Sequence, residues 1–149
     1  RMEVLSRSPL VVADGAHNLY SMDALLASLP RYLSYRRLVL VAGFSRDKSV
    51  AEMVRRLAAA RPLVFATGSR HPRSLAPSVV AARFQALATA AFEVPTPRQA
   101  IDEALEAAGP EDLVLATGSL FLAAEVREAM LGIEPETYPG LLPADQQTA

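Results

Sequence analysis

Five short runs of apolar residues punctuate the chain. They are Leu10-Val11-Val12-Ala13, Leu38-Val39-Leu40-Val41-Ala42, Leu63-Val64-Phe65-Ala66, the weaker Ala91-Phe92-Glu93-Val94, and Leu113-Val114-Leu115-Ala116. A strand with one wet face alternates apolar and polar side chains. An unbroken run means burial on both faces, as in a parallel sheet covered by helices. Stretches with helical spacing separate the runs. Met22, Leu25, Leu26 and Leu29 fall on one face, as do Val50, Met53, Val54 and Leu57, with Ser49 and Glu52 at capping-box spacing. Residues 74 to 87 read as a third helix. A fourth starts at Thr96 as N-cap, with Pro97 in its first position and Gln99 closing the box; Ala100, Ile101, Ala104, Leu105 and Ala108 form its inner stripe, and Gly109-Pro110 stops it. A fifth spans Leu120 to Leu131, ended by Gly132.

Five strand-then-helix units in succession predict an α/β fold: a three-layer, open, mostly parallel sheet with right-handed crossovers. Residues 2–6 add an N-terminal edge strand that leads through Ser8-Pro9 into the first core strand. The stretch 135–149, with Pro135, Pro139, Gly140 and Pro143, reads as an irregular tail or a docking segment.

In such sheets ligands bind beyond the carboxyl ends of the strands. Small and polar residues collect there: Asp14-Gly15-Ala16-His17-Asn18, Gly43-Phe44-Ser45-Arg46-Asp47-Lys48, Thr67-Gly68-Ser69-Arg70-His71-Pro72-Arg73 and Thr117-Gly118-Ser119. The tetrapeptide Ala-Thr-Gly-Ser occurs at 66–69 and again at 116–119. Arg46, Lys48, Arg70 and Arg73 are expected to make this edge basic, which suits an anionic ligand. Turn and capping needs alone also enrich such loops in Gly, Ser, Thr and Asp. His71, before Pro72, reads as an exposed loop residue.

Composition narrows the function classes. The 149 residues suit one domain, and a net charge of −1 gives no global field for nucleic acid or an anionic membrane. Cysteine is absent, which removes disulfides, thiolate metal sites and thiol nucleophiles. Two histidines without a paired ligand pattern make no metal site. No apolar run approaches the roughly 18 residues of a membrane span. Neither Gly-x-Gly-x-x-Gly nor Gly-x-x-x-x-Gly-Lys-Ser/Thr is present, so the parts of a self-sufficient nucleotide-hydrolysing domain are missing. Arg1 in first place reads as the start of a fragment.

The run Asp14-Gly15-Ala16-His17-Asn18 resembles the motif that opens the C-terminal domain of folylpolyglutamate and dihydrofolate synthases, within the Mur ligase family. Arg1-Met2-Glu3-Val4, Gly43 with Asp47-Lys48, Pro72-Arg73-Ser74 and Thr117-Gly118-Ser119-Leu120-Phe121 resemble that family's other motifs in the same order. Two positions depart: Leu19 stands where the family usually has Pro, and Phe121 where it has Tyr.

The resemblance implies a Rossmann-like glutamate ligase domain over 1–134, in a cytoplasmic enzyme whose N-terminal ATP-binding domain is absent from this chain. The implied reaction joins L-glutamate to a folate at the expense of ATP through an acyl phosphate, with or without dihydrofolate synthase activity. The phosphate-binding loop, the Mg2+ ligands and a carbamylated lysine are expected in the missing domain, so no metal ligand is expected here and the isolated domain is expected to be inactive. By the match, Arg1 and Asp14 would contact the adenosine of ATP. His17 and Ser119 would lie toward the reacting end, each with an alternative role in bracing or capping its own loop. Lys48, Arg73 and Phe121 are candidates for substrate contact. Two alternatives stand beside this reading: a peptidoglycan ligase of the Mur type, and a free-standing module that binds a nucleotide or amino acid.

Overall fold

The computed structural model describes residues 2–135, so Arg1 and the tail 136–149 lie outside the described residues. Six strands and five helices alternate: β1 (Glu3–Arg7), β2 (Leu10–Ala13), α1 (Leu19–Tyr32), β3 (Leu38–Ala42), α2 (Val50–Ala58), β4 (Leu63–Ala66), α3 (Pro77–Gln85), β5 (Ala91–Glu93), α4 (Pro97–Ala107), β6 (Leu113–Thr117) and α5 (Leu120–Leu131). The strands form one sheet in the order β1-β2-β6-β3-β4-β5. Only the β1–β2 pair is antiparallel, with a register shift between Val4 and Ser6. The remaining pairings are parallel.

The unbroken apolar runs serve two cores at once. Leu38, Leu40 and Ala42 of β3 pack with Met22, Leu25, Met53, Leu57, Val80 and Phe84 from α1, α2 and α3. Val39 and Val41 of the same strand pack with Ala100, Ile101, Leu122 and Val126 from α4 and α5. Each buried leucine- or valine-sized side chain stabilises the fold by roughly 1.5–3 kcal/mol, so the central strands cannot exchange faces by slipping one residue.

The order of the strands positions the site. β6, last in sequence, inserts between β2 and β3. The helices after β2 and β3 cover one face of the sheet, and the helix after β6 covers the other. Chains therefore diverge on both sides of the β6 carboxyl end, which opens a crevice there.

Three local expectations are corrected. Ser49 does not form a capping box with Glu52: it has helical φ and ψ and makes no side-chain cap. Asp47 takes that role, accepting from the Ser49 backbone N–H at 2.8 Å and from the Ser49 hydroxyl at 2.7 Å. Glu52 pairs instead with Arg55 and Arg56. The third helix begins at Pro77, because residues 74 and 75 are held by the preceding loop: Ser74 bridges Ser45, and the Leu75 N–H donates to the Phe44 carbonyl at 2.8 Å. At α4 the Gln99 N–H donates to Thr96 Oγ1 as expected, but the box closes through the Thr96 hydroxyl meeting Gln99 Oε1 at 3.1 Å.

Candidate functional site

The four polar turns share one rim. Parallel register aligns Ala13 with Ala116, and Ala42 with both Thr117 and Ala66, so the turns after β2, β6, β3 and β4 all leave the sheet on the same side. Backbone bonds stitch these exits together: the Asp14 N–H donates to the Ala116 carbonyl at 3.0 Å, and the Thr67 N–H to the Ala42 carbonyl at 2.9 Å. The N-termini of α1 and α5 open onto this rim. Their first N–H groups and the helix dipole favour negative charge there.

Two cavities flank the turn after β6. The first, of about 380 Å³, is lined by His17, Ser45, Arg46, Asp47, His71, Arg73, Gly118, Ser119, Leu120 and Phe121. The second, of about 540 Å³, is lined mainly by Asp14, Gly15, Ala16, Tyr20 and residues of α1. His17 and Leu120 line both and so form the partition between them. Gly15 lies beneath that partition, and a Cβ there would lie 2.5 Å from Leu120 Cδ2, so a side chain at 15 would have to turn the exposed end of Leu120 aside. Gly118 is required beside it, with φ at +119° and the Gly43 carbonyl in the way of any side chain.

Asp14 is buried at the root of its turn, and its Oδ1 accepts from the Ala16 N–H at 2.8 Å. His17 is exposed, with its Nδ1 2.9 Å from the Gly15 carbonyl. A carbonyl only accepts, so Nδ1 carries the proton, and a neutral ring presents its other nitrogen, Nε2, as an acceptor. Asn18 caps α1 with Ser21 as its reciprocal partner, a box hidden from the sequence because Ser replaces the usual Glu or Gln. Ser119 caps α5 by accepting from the Leu122 N–H at 2.9 Å while lining the first cavity. Its own hydroxyl proton is left over for a second bond.

Among the remaining candidates, Arg73 and Phe121 line the first cavity, whereas Lys48 is exposed and lines neither. Lys48 acts electrostatically: Asp47 lies below the ordinary carboxylate value, first through its Ser49 bonds and then through the Lys48 and Arg73 charges. Arg46 joins the lining as well, and its loop is tied to Arg73 in both directions. The Arg46 N–H donates to the Arg73 carbonyl at 2.8 Å, and Arg73 Nη2 donates to the Arg46 carbonyl at 3.1 Å.

Two expectations about this rim are corrected. His71 is not an exposed loop residue: it is buried, stacked on Phe121 with ring centroids 3.9 Å apart, and its Nδ1 accepts from the Arg73 N–H at 3.1 Å. Nor does Arg70 lend free positive charge to the edge. Its guanidinium forks onto Glu128 at 2.8 and 2.9 Å and lies 3.3 Å from Glu125. Burial pushes the Glu125 carboxyl above its ordinary value, with the bonds and charge of Arg70 opposing that shift. The partners of both residues lie some 50 positions further on, beyond the reach of local pattern.

The family profile described as Mur ligase, glutamate ligase domain, matches residues 1–120. The chain belongs to the Mur ligase family. Among curated Mur ligase relatives, it is 34% identical over 136 residues to the folylpolyglutamate synthase of Lacticaseibacillus casei, covering 89% of this chain and 29% of the relative. It is also 34% identical over 140 residues to a probable bifunctional folylpolyglutamate synthase/dihydropteroate synthase of Haloferax volcanii, covering 93% and 16%. Among solved structures, FolC of E. coli in complex with DHPP and ADP superposes with a TM-score of 0.80 at 25% identity, covering 89% of this chain and 31% of that one. The folylpolyglutamate synthase of Mycobacterium tuberculosis complexed with ADP gives 0.76 at 29% identity, covering 91% and 33%. This Mur ligase chain thus spans less than a third of the length of the curated relatives it matches.

No helix among the described residues is long and apolar enough to cross a membrane. No three His, Cys, Asp or Glu side chains among them come together as a metal site.

Proposed function

We propose that this chain is the C-terminal domain of a cytoplasmic folylpolyglutamate synthase, with or without dihydrofolate synthase activity. It closes over an ATP-binding domain not included in this sequence. The observation that carries the reading is the partition: His17, from the family's opening motif, stands between two cavities on one rim. Asp14 lies on one side of it; Ser119, Arg73 and Arg46 lie on the other. The relatives named folylpolyglutamate synthase favour the folate branch over a peptidoglycan ligase.

In this reading the Asp14 groove receives the nucleoside. Its walls are apolar enough for a base, and a carboxylate suits ribose hydroxyls. Arg1, outside the described residues, is proposed as the second nucleotide contact. The chemistry runs in two steps. The terminal γ-carboxylate of the folate tail attacks the γ-phosphorus of ATP, giving an acyl phosphate and ADP. The amine of an incoming L-glutamate then attacks the acyl carbon, phosphate leaves, and the nitrogen loses a proton as the amide forms. His17 Nε2, held as an acceptor by the Gly15 bond, is placed to orient that amine and take up its proton. The Ser119 hydroxyl and the N-terminus of α5 face the oxygens that gain charge. Arg73 and Arg46 attract the carboxylates of the incoming amino acid, and Phe121 supplies the apolar wall. Lys48 contributes through the charge of its loop. A bound Mg2+ would neutralise the ATP phosphates, and its ligands are expected outside the described residues.

Glutamate ligation by the full-length enzyme tests the assignment. Asp14→Ala should raise the KM for ATP. His17→Asn keeps the bond to Gly15 but removes Nε2, and should lower kcat by roughly 10²-fold. An unchanged ATP dependence in Asp14→Ala would sink the nucleotide assignment.

A further inference from the structure

Phe121, Glu125 and Glu128 follow one another at intervals of four and three on α5, so they form a single stripe along the helix. All three grip the loop between β4 and α3. Phe121 stacks on His71. Glu125 accepts from the Arg70 backbone N–H at 2.9 Å. Glu128 takes both ends of the Arg70 guanidinium. The two carboxylates are only 9% exposed, and desolvating them for no further purpose is costly. From this anchor the loop continues into the cleft: His71 Nδ1 fixes the Arg73 N–H, and Arg73 in turn holds the Arg46 carbonyl.

Resting on the ligase reading, we propose that Arg70 is a positioning residue for the amino-acid half of the cleft. Clamped by Glu125 and Glu128, it holds His71 flat on Phe121 and thereby sets where Arg73 stands relative to Ser119. It touches no substrate itself. A planar guanidinium bonded at both ends resists rotation as a lysine ammonium does not. A loop that supports a charged contact must hold it to a fraction of an ångström to be of use.

The test uses the 149-residue chain and two probes, L-glutamate and AMP, titrated separately while backbone amide resonances are followed by NMR. In the wild type, glutamate should shift residues 69–73 and Ser119, and AMP should shift Asp14 and Ala16. Arg70→Lys should weaken glutamate binding by roughly tenfold or more and leave the AMP titration unchanged. A residue that merely stabilised the fold would move both titrations or neither. Should Arg70→Lys fail to fold, Glu128→Gln, which keeps size but replaces one of the two accepting oxygens with an NH2 donor and so breaks the fork, carries the same expectation. Glutamate titrations equal in wild type and variant overturn the inference. So does a wild type whose 69–73 loop ignores glutamate, while AMP shifts at Asp14 leave the ligase reading standing. Silence toward AMP removes that reading, and the inference with it.

Discussion

At Gly118 backbone geometry and close approach act together. Its φ of +119° is open to glycine and strained for other residues, and an added Cβ would run into the Gly43 carbonyl across the crevice. Gly118→Ala should therefore lose about 3 kcal/mol or more, combining backbone strain with displacement of a neighbouring strand end. Urea denaturation measures this directly, and a loss under about 1 kcal/mol would show that the turn has another way to relax. Gly132 provides the contrast. It also has positive φ, but nothing lies within 4 Å of a Cβ built there, so Gly132→Asn should cost little.

Among the elements, α5 has the most to satisfy. Its inner residues Leu122 and Val126 enter the core, its first turn faces the cleft, and a third stripe holds the β4–α3 loop. Ser119→Ala removes the cap and should destabilise the domain by about 1 kcal/mol, read as a lower melting midpoint. At the opposite end of the sheet, Asp112 ties the start of β6 to the start of β3. It accepts from the Gly109 N–H at 2.8 Å and from Arg37 at 3.1 and 3.3 Å. Those bonds, the Gly109 N–H first, hold its carboxyl below the ordinary 3.8 against the opposing cost of burial. A depressed carboxylate stabilises the fold above its unfolded value, and that stability is lost as pH falls through the lower, folded value. The wild type should lose melting temperature as pH drops below about 4, and Asp112→Asn should flatten that part of the profile. A pH profile identical in both proteins would assign the acid sensitivity to other groups.

At the scale of the whole molecule, this chain supplies half of a cleft in the proposed ligase, so the isolated chain should bind ATP weakly and turn none over. Release of phosphate by the purified chain, abolished by Asp14→Ala, would contradict the division of labour proposed here. The sheet and its four crossovers were legible because burial on both faces leaves short unbroken apolar runs between stretches of helical spacing. The position of β6 between β2 and β3 was not, since a run such as Leu113-Val114-Leu115 carries no mark of its neighbours. The same limit applies at the rim. Asp14 and His17 were found through a contiguous motif. The burial of His71 depends on a ring at position 121, and the pairing of Arg70 on carboxylates at 125 and 128. Lys48, taken from the same family of motifs, lies exposed on the rim and lines neither cavity.

The register shift between Val4 and Ser6 has a bearing on how such a protein behaves in a crowded solution. An open sheet has two flanks, and an unpaired flank invites the strands of other molecules to add on, the first step toward fibres. Here one flank is kinked by that irregularity, and the other is a strand of three residues ending in a glutamate. Neither offers a long straight template, so concentration should drive this chain toward aggregation less readily than its extended sheet alone suggests.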